Sequence, residues 1–323
     1  MNLAIKSLVC KVPFVQKLRK RLGGQGAYPA GHYHSPIPSE EDVRAYFATG
    51  TEPASELPGI DLNAKGQGEV LVEYARFYRD LPFTAKQTPA HRYYYDNEWF
   101  SYSDAIFLYC FLRMQLPKRI VEVGSGFSSA VMLDTVDGFF PHRPEMTFIE
   151  PHPERLLNML RETDRAQVRI IDRRVQEVPL GDLLALEAGD FLFIDSSHVV
   201  KCGSDLQLLL FEILPRLPPG VFVHFHDVFY PFEYPSEWLT KEGRFWNENY
   251  FLRAFLSYND EWRIHFFNTY VHRLFGAALK EKMPLCVQNP GGGLYLQRKI
   301  GPRAEPTSGR SAGVPPSAPV LNP

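Results

Sequence analysis

Residues 119–129, Arg-Ile-Val-Glu-Val-Gly-Ser-Gly-Phe-Ser-Ser, constrain the fold of this 323-residue chain more than any other segment. The apolar residues Ile120, Val121 and Val123 are typical of a buried β-strand, and the Gly124-Ser-Gly126 sequence predicts a tight turn. A helix is predicted to start at Ser128. Glycine lets the backbone of such a turn approach a ligand closely, and the first helical turn offers free N–H groups. The segment therefore predicts a cradle for a nucleotide-like ligand.

The chemistry of this turn indicates which ligand it suits. Its pattern is Glu-x-Gly-x-Gly, which lacks the third glycine of the dinucleotide-binding motif. An acid, Glu122, precedes the first glycine and suits a ligand that carries positive charge near the turn. S-adenosylmethionine, with a sulfonium and an ammonium, is such a ligand. We therefore predict that Glu122, Gly124, Ser125 and Gly126 bind S-adenosylmethionine.

The rest of the chain predicts an α/β architecture. From residue 118 onward strand and helix patterns alternate, which indicates a parallel sheet with crossover helices. The predicted strands are 120–123, 146–150, 168–171, 191–195, 220–226, 262–267 and 293–298. Predicted helices cover 40–47, 70–78, a stretch within 97–115 capped by Ser101 or Ser103, 205–214 and 249–258, with others after Pro153 and Val175. The predicted organisation is a basic leader (1–24), an N-terminal cap (25–117), a ligand-binding domain (118–299) and a disordered tail (300–323).

Composition narrows the function classes. A net charge of −2 gives no general attraction to nucleic acid, and no apolar run reaches the ~20 residues of a membrane span. Four scattered cysteines without CxxC pairing fit a reducing, cytoplasmic setting and argue against a disulfide framework or a zinc knuckle. The leader is basic and partly apolar, so weak peripheral contact with anionic lipid is one interpretation and a solvated segment the other.

Two acids follow predicted strands and are candidate cofactor ligands. In open α/β sheets ligands bind at the carboxyl ends of the strands. Glu150, at the end of the second strand, is placed to accept the ribose hydroxyls of an adenosyl group; the alternative is an acid at a helix start. Asp172 follows the third strand and is a candidate for the adenine amino group, or equally for a surface ion pair with Arg173 or Arg174.

Titratable side chains also follow the fourth and fifth strands. The fourth ends in Asp195-Ser-Ser-His198 and the fifth in His224-Phe-His226-Asp227. We predict that Asp195, His226 and Asp227 bind a divalent metal such as Mg²⁺, that Asp195 also lies at the cofactor, and that His198 is the general base. The alternative is that the acids cap turns and the histidines are core groups, the interpretation we adopt for His224. Since three titratable groups converge on one cleft, the functional interpretation is favoured for Asp195, His198 and Asp227.

Residues 92–299 resemble the class I S-adenosylmethionine-dependent methyltransferases. The resemblance rests on Glu122-Val-Gly-Ser-Gly126, Phe148-Ile-Glu150, Phe193-Ile-Asp195-Ser-Ser-His198 and His226-Asp227. It is greatest to the metal-dependent branch that includes sugar O-methyltransferases and cephalosporin-hydroxylase-like proteins. The resemblance implies a Rossmann-like seven-stranded sheet of order 3-2-1-4-5-7-6, with the last-formed strand antiparallel. His226 departs from that branch, which usually has a carboxylate there, and histidine shifts metal preference toward Mn²⁺, Fe²⁺ or Zn²⁺.

The sequence thus predicts an O-methyltransferase that acts on a hydroxyl of a small molecule or glycan precursor. The main alternative is a non-catalytic S-adenosylmethionine-binding scaffold. A nicotinamide-dependent oxidoreductase and an iron-dependent hydroxylase agree less well with the motifs. A sugar or other small-molecule acceptor is expected, nucleic acid is not, and a homo-oligomer is compatible with the sequence.

Overall fold

The computed structural model describes residues 27–49 and 56–301. The predicted basic leader, 1–24, and nearly all of the predicted tail, 300–323, lie outside the described residues. Cys110, Cys202 and Cys286 are free thiols. No helix in the described part of the chain is long and apolar enough to cross a membrane.

Seven strands form one mixed sheet. They are β1 (Arg119–Val123), β2 (Glu145–Ile149), β3 (Arg169–Ile171), β4 (Phe191–Ile194), β5 (Phe222–His226), β6 (Trp262–Phe267) and β7 (Gly293–Arg298). Their order is β3-β2-β1-β4-β5-β7-β6, with β7 antiparallel to both neighbours and the first five strands parallel. The predicted strand order and the antiparallel last strand are confirmed.

Helices surround the sheet and precede it. They are α1 (Glu40–Ala48), α2 (Ala64–Phe77), α3 (Ser103–Gln115), α4 (Phe127–Phe139), α5 (Glu154–Met159), α6 (Leu180–Leu184), α7 (Asp205–Leu208), α8 (Ser236–Thr240), α9 (Glu248–Leu256) and α10 (Asn268–Lys282). Single 3₁₀ turns occur at Tyr78–Asp80, Glu162–Ala166, Val175–Glu177, Leu214–Arg216 and Pro284–Gln288, and a π turn, Leu209–Ile213, continues α7.

The helices of the structure differ from the predicted ones in two places, the cap of α3 and the presence of α10. The predicted Ser101 or Ser103 cap of α3 is wrong, because Ser103 donates its hydroxyl to the carbonyl of Cys286 (2.8 Å) and Ser101 accepts from Asn289 (2.8 Å). Helix α10 was not predicted at all. A non-helical Phe275 kinks it and interrupts the regular spacing of its apolar residues.

Two hydrophobic clusters lie one on each face of the sheet, because alternate side chains of a strand point to opposite faces. On β1, Ile120 belongs to the first cluster, and Val121 and Val123 belong to the second. Helix α3 lies in the first cluster and is buried from Ser103 through Leu112. The cap and the sheet therefore share one core.

A buried ion-pair network also joins the cap to the sheet. The Arg92 side chain is 2% exposed and donates to Asp134 of α4 (2.7 Å) and to Asp164 (2.8 Å). Asp137 lies 2.9 Å from the same guanidinium. Hydrogen bonds from Arg92 lower the pKa of Asp164 despite burial, which alone would raise it. These contacts fix the segment before α3 against the helix that follows the glycine turn.

Candidate active site

A cleft of about 640 Å³ opens at the carboxyl ends of β1, β2, β4 and β5. Its volume suits a small-molecule ligand. The predicted site residues that line it are Gly124, Ser125, Gly126, Glu150, Asp195, His198, His226 and Asp227. Glu122 and Asp172 do not line it.

The glycine turn requires glycine at its first position. Gly124 has φ +83°, and a Cβ built there would lie 1.6 Å from the backbone oxygen of Asp195. The Gly124 N–H donates to Ile149 (2.9 Å), and the Asp195 N–H donates to Val123 (2.8 Å). The turn after β1 is thus in direct contact with the segments that leave β2 and β4.

Glu150 is partly exposed in the cleft and is held by backbone N–H groups. It accepts from the N–H of Ser125 (3.0 Å) with one oxygen and from the N–H of His152 (2.8 Å) with the other. A carboxylate has about four lone-pair sites, so both oxygens can accept further hydrogen bonds. Glu150 therefore both supports the glycine turn and presents acceptors to a ligand.

Glu122 lies beneath the turn. It is fully buried and accepts hydrogen bonds from Ser128 (2.6 Å) and Ser129 of α4. Burial raises the pKa of Glu122 to about 8, against the opposing effect of the serine hydroxyls. The sequence predicts that Glu122 contacts a ligand cation. In the structure β1 is covered on both faces, so the Glu122 carboxylate is buried and holds the first turn of α4 instead.

Asp172 lies away from the cleft. Its side chain is exposed after β3, an edge strand of the sheet, and it is absent from the cleft walls. The N–H of Glu150 donates to the carbonyl of Ile171 (3.0 Å), so Asp172 follows the β3 residue that is bonded to Glu150, but its side chain does not join the residues that line the cleft.

Three carboxylates lie within 4 Å of the ring nitrogens of His198. His198 is 6% exposed, and its Nδ1 lies 2.8 Å from a carboxylate oxygen of Glu248, at the start of α9. Since an ionised carboxylate can only accept, Nδ1 carries a proton. Nε2 faces Asp195 (3.4 Å) and Asp227 (3.7 Å). Glu248, which the sequence did not identify, thus orients the imidazole and leaves Nε2 toward the cleft.

The charges around His198 determine its protonation. Burial alone would lower the pKa of His198, but hydrogen bonds to Asp195 and Glu248 raise it well above its ordinary value. Burial also raises the pKa of Glu248 and of Asp227. The pKa of Asp195 is lowered, because His226 and His198 outweigh the effect of burial. The carboxylates around His198 therefore favour its protonated form.

The predicted metal ligands are not arranged as a metal site. No group of three or more His, Cys, Asp or Glu side chains in residues 27–49 and 56–301 has the geometry to hold a metal ion. The Nε2 of His198 lies between the Asp195 and Asp227 carboxylates, and the His226 Nε2 is 3.6 Å from Asp227. His226 instead packs against Phe100, with 5.0 Å between ring centroids.

His224 lies in the core, as predicted. Its ring stacks on Phe193 (4.3 Å) and contacts Tyr295 (4.3 Å), and burial lowers its pKa well below the ordinary value. It is therefore a neutral histidine behind the cleft.

The backbone is strained at two of the cleft residues. His198 and Asp227 both have φ +56°, in the left-handed region that non-glycine residues rarely adopt. This conformation directs both side chains into the cleft from the ends of β4 and β5.

Aromatic side chains and arginines line the outer part of the cleft. Trp246 packs on His198, with 4.2 Å between ring centroids. The guanidinium of Arg244 lies 4.4 Å from the ring of Trp238 and 5.2 Å from that of Trp246. Such cation–π contacts hold Arg244 at the cleft wall. On the other side, the guanidinium of Arg155 lies 4.0 Å from the ring of Trp99.

Comparison with known proteins gives a family match over the cleft-forming strands. Residues 121–228 match a family model described as a methyltransferase domain. An uncharacterized protein of Archaeoglobus fulgidus is 37% identical over 168 residues, which cover 50% of this chain and 74% of that protein.

Solved structures with a similar fold include two O-methyltransferases. TomG from Streptomyces achromogenes, described in complex with SAM, is 15% identical, with 80% of this chain and 96% of that chain covered and a TM-score of 0.38. The O-methyltransferase from Bacillus cereus, described in complex with SAH, is 16% identical, with 81% and 100% covered and a TM-score of 0.37.

The family match agrees with the sheet. It covers β1 to β5, which carry the glycine turn, Glu150, Asp195 and His198. The strand order is the one that the sequence resemblance implied. Residues 121–228 therefore carry a methyltransferase domain, and the sheet that holds them has the strand order implied for the class I methyltransferases.

Proposed function

We propose that this protein transfers the methyl group of S-adenosylmethionine to a hydroxyl oxygen of a small-molecule acceptor, with His198 as general base. The observation that carries the proposal is the buried His198–Glu248 pair, which opens into the same cleft as the glycine turn and Glu150. One cavity would thus join a site for an adenosyl group to a proton acceptor.

The methyl donor would bind along the ends of β1 and β2. The Gly124–Ser125–Gly126 backbone permits close approach, and Glu150 would accept the ribose hydroxyls. Asp195, whose pKa is lowered, would supply negative charge that suits a cationic methyl donor. Glu122 would act indirectly, by holding α4 and the turn in place.

Methyl transfer is an in-line displacement: the acceptor oxygen forms a bond to the methyl carbon while the bond from carbon to sulfur breaks. The acceptor proton moves to Nε2 of His198, which must first lose its own proton. Glu248 keeps Nδ1 protonated and stabilises the imidazolium that forms. The fold otherwise supplies alignment of donor and acceptor.

The predicted metal assistance is not part of this proposal. A three-ligand site would need oxygen or nitrogen donors converging on one point, and His198 Nε2 lies between the two carboxylates instead. No step above runs through a metal ion.

A calorimetric titration with S-adenosylmethionine tests the donor site. Glu150→Ala is expected to weaken binding at least tenfold, or about 1.4 kcal/mol. Glu154→Ala, an exposed acid at the start of α5, is the matched control and should bind as the native protein does. Failure of folded protein to bind S-adenosylmethionine would refute the proposal.

Turnover, followed as S-adenosylhomocysteine formation with a panel of hydroxyl compounds, tests the base. His198→Ala should keep cofactor binding and lower the rate by about 10² to 10⁴-fold. Cofactor binding together with an unchanged rate in His198→Ala would remove the base role. Binding with no turnover on any hydroxyl would favour the scaffold alternative.

A further inference from the structure

A second cavity, of about 460 Å³, lies beside the catalytic cleft. The cap provides one wall, from residues 36–47, and the segments from Glu233 to Tyr250 provide the other. Helices α1 and α8 pack against each other here. The apolar walls of the cavity include Pro38, Val43, Tyr46, Phe47, Leu239 and Trp246.

The walls of this cavity are aromatic and aliphatic, with negative charge only. Both of its carboxylates already accept hydrogen bonds: Asp42 from Ser39 at the start of α1, and Glu233 from the Tyr250 hydroxyl (2.6 Å). No lysine or arginine is among its described lining residues. Such walls favour an apolar group that is uncharged or cationic and disfavour an anion.

Trp246 connects this cavity to the catalytic histidine. Trp246 lines both the cavity and the cleft, and its ring packs on His198. The next residue, Asn247, donates its backbone N–H to the His198 carbonyl (3.1 Å) and binds both the N–H and the carbonyl of Val200 through its side chain. A group in the cavity would therefore contact the residue that supports the base.

We propose that this cavity binds the apolar, non-anionic part of the methyl acceptor, while the acceptor hydroxyl extends past Trp246 to His198. The inference rests on the proposed function and specifies its substrate class: a hydroxyl compound with an aromatic or aliphatic body and no negative charge on that body. Phe47, Tyr46 and Trp246 provide the faces that the body packs against.

Binding of 2-naphthol, measured by calorimetry on the full chain, tests the cavity. Phe47→Ala is expected to weaken binding at least tenfold, and Tyr46→Ala provides a second cavity variant. Phe251→Ala is the matched control, because Phe251 is 37% exposed, against 36% for Phe47, and does not line the cavity. 2-Naphthoate, the same ring system with a carboxylate, should bind at least tenfold more weakly than 2-naphthol.

A second readout tests the connection to the base. Occupancy by 2-naphthol should shift the imidazole NMR signals of His198, and the shift should be lost in Phe47→Ala and kept in Phe251→Ala. Equal 2-naphthol affinity in Phe47→Ala and Phe251→Ala, preferred binding of 2-naphthoate, or unmoved His198 signals on 2-naphthol binding would overturn the inference.

An S-adenosylmethionine titration of the same sample separates this inference from the proposed function. Cofactor binding without 2-naphthol binding refutes the cavity assignment alone. Binding of 2-naphthol without cofactor binding refutes the proposed function and, with it, the acceptor role of the cavity.

Discussion

Replacing Gly124 by alanine tests the close contact between the turn after β1 and the chain that leaves β4. The added Cβ would lie 1.6 Å from the Asp195 oxygen, so the turn must move before the residue fits. Placing a side chain at φ +83° costs ~1–2 kcal/mol, and overpacking of a tight contact costs a further ~1–3 kcal/mol. We expect Gly124→Ala to lower the free energy of unfolding by roughly 2–5 kcal/mol. S-adenosylmethionine affinity should fall as well, because the same movement displaces Ser125 and Asp195.

Urea unfolding, followed by tryptophan fluorescence, measures the change. Gly138→Ala is a control of opposite sign, because Gly138 lies in α4 and its added Cβ would have no atom within 4 Å apart from its chain neighbours and the nearby backbone of the same helix. Alanine there should stabilise the protein by about 0.5–1 kcal/mol, since glycine loses more backbone entropy on folding. The reasoning is refuted if Gly124→Ala unfolds within about 0.5 kcal/mol of the native protein, the range of neutral surface changes.

Four further predictions concern the ion pairs, the base and the predicted metal ligands. Arg92→Leu should destabilise the protein by ~3–5 kcal/mol, because it leaves buried carboxylates unpaired. Arg76→Leu, which removes an exposed pair, should cost no more than about 1 kcal/mol in the same urea assay; equal losses would contradict the argument. Turnover should rise with pH as His198 loses its proton, along a limb centred above the ordinary histidine pKa of about 6.5, since its folded pKa is raised. Glu248→Gln should move that limb to lower pH and reduce the maximal rate; a pH–rate profile that does not move would remove Glu248 from the mechanism. Treatment with EDTA should leave turnover unchanged, whereas a loss that Mn²⁺ restores would reinstate the predicted metal ligands.

The cleft residues whose positions could be predicted from the sequence are those fixed by local pattern. Glu150 and Asp195 each follow an apolar run, and in a parallel sheet such runs end at one edge. The structure ends β2 and β4 one residue before these acids, which directs both into the cleft. Strand order followed from the family resemblance, since alternating strands and helices give a parallel sheet but leave its order open.

The parts that the sequence did not predict depend on contacts between distant residues. Glu248 lies 50 positions after His198, and nothing local marks it as a partner of an imidazole. Glu122 lies in the predicted glycine-turn motif. Its side chain is directed toward α4 because β1 is covered on both faces, which the local sequence does not show. Asp172 follows an edge strand, where the end of the strand lies outside the cleft.

The left-handed backbone at His198 and Asp227 has a consequence for protein engineering. Each such conformation costs a non-glycine residue on the order of 1 kcal/mol, and glycine would relieve it. A screen that selects variants only for thermal tolerance should therefore enrich glycine at position 227, whereas glycine at position 198 would leave the buried Glu248 carboxylate without its imidazole partner. The resulting proteins would be more stable but would lack the Asp227 side chain that faces the cleft. Selection for stability therefore has to be combined here with selection for turnover.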